Sequence, residues 1–148
     1  MPNQSITLTI DNTQENAALL ATVVQSVAMT LSFSQTDACM LRFCTLEAVK
    51  LALRGHPPKQ GKPIQVQVDI LDDCLRLTVA DLGTSVNFLD ACRPDLSTED
   101  IVQAVEDDCL GPEVIRSTMD SVEVVRGDGE SRLVMRKQFN TNLREYDT

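Results

Sequence analysis

One carboxylate in this chain falls where a carboxylate needs a reason. Residues 46–56 read LEAVKLALRGH, and helical spacing sets Glu47 and Leu51 one turn apart, on a face shared with Met40, Phe43 and Arg54. On an otherwise apolar helix such a glutamate can act as a general base, accepting a proton from a protein hydroxyl or from water. It can equally sit at the helix margin, solvated or paired with Lys50 or Arg54, and the residues alone leave both readings open. A second carboxylate, Asp81, closes an apolar strand and is followed by Leu82-Gly83, which is also ordinary turn chemistry. The single histidine, His56, comes directly after Gly55, where it can interact with helix-terminal carbonyls and the helix dipole. Five cysteines, Cys39, Cys44, Cys74, Cys92 and Cys109, are odd in number and form no C-x-x-C, so neither a disulfide framework nor a zinc site is expected. Four of them lie in apolar or helical contexts, where a thiol behaves as a small buried hydrophobe. No metal-ligating residue is assigned.

The elements that must position these groups follow from periodicity. Ser5–Ile10 alternates as a strand. A helix follows from Asn12, with Asn12-Thr13-Gln14-Glu15 spaced as a capping box and Leu20, Val23, Val24, Val27 and Leu31 as its stripe. Ser34 caps a second helix, which runs to about Arg54 and stops at Gly55 and Pro57-Pro58. Its apolar residues lie nearly all round, so it is expected to be central and buried. Ile64–Ile70 and Cys74–Ala80 read as an antiparallel hairpin with one solvated face. Residues 82–96 read as loop, 98–108 as a short acidic helix, and 112–120 as another helix opened by Pro112. Ser121–Arg126 and Ser131–Phe139 form a closing hairpin about Gly127-Asp128-Gly129. This order predicts an α+β two-layer sandwich, with helices on one face of a mainly antiparallel mixed sheet.

The chain has 148 residues, 43% hydrophobic and 24% charged. That suits one globular domain over residues 1–139, with a polar C-terminal tail at 140–148. No apolar run approaches the roughly 20 residues that cross a bilayer, and MPNQSITLTI does not read as a secretory signal, so a cytoplasmic protein is expected. The net charge of −9 argues against non-specific nucleic-acid binding, which needs Lys and Arg to neutralise phosphates, and against anionic membrane surfaces. An acidic chain suits a protein partner with a basic patch.

Order and context together carry a resemblance. EAV on a buried helix, a hairpin ending V-x-D-x-G, a Leu-Gly element opening a helix, RSTMDSVEVV, a DG turn and LVMRK resemble the GHKL (histidine-kinase-like) ATPase superfamily, specifically its anti-sigma-factor serine/threonine-protein kinase branch. The resemblance covers roughly Ser5–Lys137. In that branch the helix motif reads about E-A-V-x-N-A-x-x-H, and Glu47, Ala48, Val49 and Ala52 fit. Leu51 stands where the family has the Asn that holds magnesium, and a leucine offers no oxygen to a hard cation.

The resemblance implies that Asp81 accepts a hydrogen bond from an adenine amino group and that Gly83 lets backbone approach the base, although Ser85 replaces the family's second glycine. It sets Gly111 in the Gly-rich element whose helix N-terminus cradles phosphates. There Pro112 has no N–H to donate, and Glu113, with Glu106-Asp107-Asp108 upstream, brings negative charge toward phosphate. ATP or ADP is the cofactor implied, without magnesium. The expected function is partner switching with a sigma factor or a small antagonist protein, the phosphorylation of a partner serine being weakened or lost. Two alternatives stand beside it. One is an active protein serine kinase with Glu47 as base, and the other is a domain kept for structure or dimerisation, since relatives often form homodimers.

Overall fold

The computed structural model describes residues 4–11, 13–54, 63–80, 111–127 and 130–139. Its elements are β1 (Gln4–Ile10), α1 (Gln14–Met29), α2 (Gln35–Arg54), β2 (Ile64–Ile70), β3 (Cys74–Val79), α3 (Gly111–Thr118), β4 (Ser121–Gly127) and β5 (Glu130–Gln138). The acidic helix expected at 98–108, the Asp128-Gly129 turn and the 140–148 tail lie outside the described residues.

The strands form one five-stranded sheet in the order β1-β2-β3-β5-β4. The sheet expected from the sequence was mainly antiparallel, and every described pairing is antiparallel. The cause lies in the connections. The helix pair α1–α2 carries the chain back so that β2 runs against β1, and the closing hairpin docks on β3 through its second strand.

Period-two alternation decides which face is buried. Ile64, Val66 and Val68 of β2, Leu75, Leu77 and Val79 of β3, and Leu133 and Met135 of β5 face the helices, where they meet Leu20, Val24, Leu41, Ala48 and Val49 in one core. Burying each of the larger side chains stabilises the fold by roughly 1.5–3 kcal/mol. On the opposite face Asp69 is 5% exposed. It accepts hydrogen bonds from Ser5 Oγ at 2.7 Å, Gln67 Nε2 at 3.0 Å and Arg76 Nε at 3.1 Å, tying edge strand β1 to β2 and β3.

The helix starts follow from capping hydroxyls. Ser34 Oγ accepts the Asp37 N–H at 3.1 Å, as expected for α2. The first helix begins one position later than its sequence suggested. Its N-cap is Thr13, in extended conformation, and Thr13 Oγ1 accepts the Asn16 N–H at 3.3 Å. A cap of this kind contributes about 1 kcal/mol. The expectation of a central, buried α2 holds for one side of the helix. It packs against α1, α3 and the sheet through Ala38, Leu41, Cys44, Thr45, Ala48, Val49 and Ala52, whereas Phe43 is 42% exposed. The Arg42 guanidinium lies 5.0 Å from the Phe43 ring centroid. With no fourth element on that side among the described residues, the stripe's outer edge stays open.

Candidate functional site

Glu47 is carried by α2 on the margin between its buried stripe and solvent. Its side chain is 16% exposed, and Oε1 lies 3.3 Å from Lys50 Nζ. Of the two readings its sequence allows, the arrangement present is the ion pair along the helix, a contact natural to residues three apart. A half-buried carboxylate with an ammonium beside it remains accessible to an incoming group. One turn on, the α2 backbone continues through Leu51. The Leu51 side chain lies outside the described residues, and as a hydrocarbon it offers no ligand to a hard cation such as magnesium.

Beside this stretch of α2 lies α3, and the groups joining the two were missed in the sequence. Cys44, fully buried, directs its Sγ to the Val114 carbonyl at 3.7 Å. From β5, Lys137 Nζ donates to the Thr118 carbonyl at 3.0 Å. Burial pushes the Cys44 thiol up to about 11, the Thr118 hydroxyl and the Lys137 charge offset part of that rise, and the Glu47 charge adds to it. Ile115 and Met119 of this region are buried in the core. Lys137 reaches α3 because it pairs with Leu75 in the β3–β5 register and lies two residues beyond Met135, on the helix-facing side of the sheet. The signal was present in LVMRK. Alternation from Leu133 through Met135 sets a lysine on an apolar face.

At the other candidate positions, β3 ends at Val79, and Ala80 N–H still bonds the Gln65 carbonyl at 3.0 Å. Asp81, Gly83, Ser85 and His56 lie outside the described residues. Gly111 opens α3, with Pro112 and Glu113 in its first turn. The helix ends at Thr118, earlier than the expected Asp120. The reason is that Asp120 is drawn into the sheet, where its N–H donates to the Arg136 carbonyl at 2.9 Å and its Oδ2 accepts the Gln138 N–H at 2.6 Å. Cys39, Cys44 and Cys74 are free thiols, the last two buried, while Cys92 and Cys109 lie outside the described residues. No described helix is long and apolar enough to cross a membrane.

The structure thus brings together Glu47, Cys44, the α3 carbonyls and Lys137. A family model described as "Histidine kinase-like ATPase domain" matches residues 10–137. Anti-sigma F factors from two strains of Clostridium perfringens are each 30% identical to the chain over 97 residues, covering 64% of it and 68% of the relative. The solved SiaB–SiaC complex from Pseudomonas aeruginosa contains a chain that superposes with a TM-score of 0.59 at 10% identity, covering 90% of this chain and 88% of that one. At that identity the likeness is one of fold. The chain belongs to the histidine kinase-like ATPase domain family, in the branch that includes the anti-sigma F factors.

Proposed function

We propose that this chain is a regulatory protein of the anti-sigma-factor type, working in the cytoplasm by partner switching. It binds a sigma factor or a small antagonist protein, and its phosphoryl-transfer step is weakened or lost. The kinship with anti-sigma F factors supports the partner class, and the SiaB–SiaC neighbour was solved in complex with a second protein. The observation that carries the loss of catalysis is Leu51, one turn from Glu47 on α2. Phosphoryl transfer depends on positioning and on neutralising the charge of the transferring group, largely by metal ions that bridge phosphate oxygens. A leucine at that position offers no ligand, Pro112 removes a backbone donor, and Glu113 adds charge of the wrong sign. ATP or ADP can still be held through its base by Asp81 and Gly83. A homodimer is the assembly that the family resemblance implies, and neither a metal, a nucleic acid nor a membrane has a part in the function.

One observation favours the active-kinase reading, namely that Glu47 is retained and half-buried on α2 rather than lost in the core. A pull-down from the native cell extract separates the two. Under partner switching without catalysis, a sigma factor or small antagonist domain is recovered equally with and without ATP, and Glu47→Gln leaves recovery intact. Phosphoserine on the recovered partner that disappears with Glu47→Gln would overturn the proposal and establish an enzyme.

A further inference from the structure

The helix α3 has eight residues. Nucleation costs leave helices shorter than about 12 residues marginal in water, so something outside α3 must hold it. Part of the hold is apolar, through the buried Ile115 and Met119. The rest is polar and arrives from two other elements. Cys44 Sγ of α2 reaches the Val114 carbonyl at 3.7 Å, and Lys137 Nζ of β5 donates to the Thr118 carbonyl at 3.0 Å. Thr118 is the last residue of α3, and carbonyls in a final turn have no intrahelical donor. A cation there also meets the negative end of the helix dipole. A lysine on the helix-facing side of a sheet is costly unless its ammonium is partnered, which gives Lys137 a reason to be fixed in this contact.

We propose that Lys137 is a positioning residue, whose ammonium fixes the C-terminal end of α3 and so sets how α3 lies against the Glu47-bearing stretch of α2. Support comes from Cys44, which sits between the two. Its thiol feels both the Lys137 charge and the Glu47 charge, in opposite senses, so all three groups share one electrostatic neighbourhood. Lys137 contacts the end of α3 opposite to Gly111. It acts only through α3.

The test is amide hydrogen exchange on the full chain. The amides of residues 115–119, which make or follow the α3 backbone bonds, should exchange about tenfold or more faster in Lys137→Met, as expected for loss of a charged hydrogen bond. Leu75 and Leu77 amides in β3 should be unchanged. Lys137→Arg keeps a cationic donor and should bring the α3 amides back to within about threefold of wild type. Equal acceleration in α3 and β3, no acceleration in either, or failure of arginine to restore protection would each overturn the proposal. A second arm rests on the nucleotide-binding reading above and uses ADP in a calorimetric titration. If wild type binds ADP, affinity should fall in Lys137→Met and recover in Lys137→Arg, and equal affinity in all three would overturn the link between α3 and the site. A wild-type protein that binds no ADP refutes the nucleotide reading alone and leaves the exchange arm to decide this one.

Discussion

A Cys44→Ala variant should be spared a loss of stability that the wild-type protein suffers only in alkali. Cys44 is fully buried, and burial moves its thiol from 9.0 to about 11 against the partial relief of Thr118 and Lys137. In the unfolded chain that thiol ionises near its ordinary value, while in the folded protein it keeps its proton about two pH units further. Between those limits the folded state binds more protons than the unfolded state, so stability falls as pH rises. Two units correspond to about 2.7 kcal/mol. That contribution is complete below pH 9 and gone near pH 11. Urea unfolding of wild type and variant from pH 7 to 11 measures it as a difference, in which the lysines, the one tyrosine and the other cysteines largely cancel. Near neutral pH the wild type should be the more stable by about 1 kcal/mol, the cost of a small vacated volume. The difference should then shift toward the variant by about 2–3 kcal/mol as the pH passes from 9 to 11. Parallel stability curves over that range would refute the burial and the electrostatic surroundings assigned to this thiol.

Three further outcomes are expected. Calorimetry should show that any adenine-nucleotide affinity is little changed by adding magnesium or chelator, because Leu51 supplies no oxygen, and Leu51→Asn alone should not create a dependence while Pro112 and Glu113 remain. If ADP binds, a folded Asp81→Ala variant should bind it about tenfold or more weakly, since a hydrogen bond to a charged group contributes roughly 1.5–3 kcal/mol. The third concerns Asp69. Burial alone would raise its carboxyl, but hydrogen bonds from Ser5, Gln67 and Arg76 and the Arg76 charge outweigh that and lower it. Its stabilising effect is therefore present above the ordinary carboxylate value of about 3.9 and lost as pH falls through the folded value. In an acid titration of unfolding, Asp69→Asn should lie well below wild type near neutrality and converge on it below about pH 4.

Much of the frame was legible because each signal was local. Ser34 with a helix-forming run after it gives the start of α2, and the alternation of Ile64, Val66 and Val68 gives the buried side of β2 without reference to any other strand. The misreadings arose where a second element decides. The cap of α1 is the local exception, taken by Thr13 and not Asn12, with the Asn16 side chain bonding the Asp11 carbonyl at 3.3 Å. Asp120 left the helix pattern because two groups of β5 claim it. Lys137 drew no reading of its own, because its partner, the Thr118 carbonyl, is 19 residues away on another element. In the candidate site, the sequence suggested Glu47 and offered Lys50 or Arg54 as its partner, of which the structure shows Lys50. The contact from Cys44 to Val114, across 70 residues, had no local signature at all.

The packing of α2 also separates the positions that build this family's fold from those that the resemblance assigns to chemistry. The residues that bury α2 are Ala38, Leu41, Cys44, Thr45, Ala48, Val49 and Ala52, spaced three and four apart as one stripe. Glu47 lies beside that stripe with partial exposure, and helical spacing sets Leu51 in line with Glu47, one turn on. The buried stripe and the line through Glu47 and Leu51 are thus offset around the helix. The same separation holds at α3, where Ile115 fixes the helix in the core regardless of what Pro112 and Glu113 offer at its start. Family membership thus accounts for the frame, and under the function proposed above Leu51, Pro112 and Glu113 are the positions that bear on the chemistry.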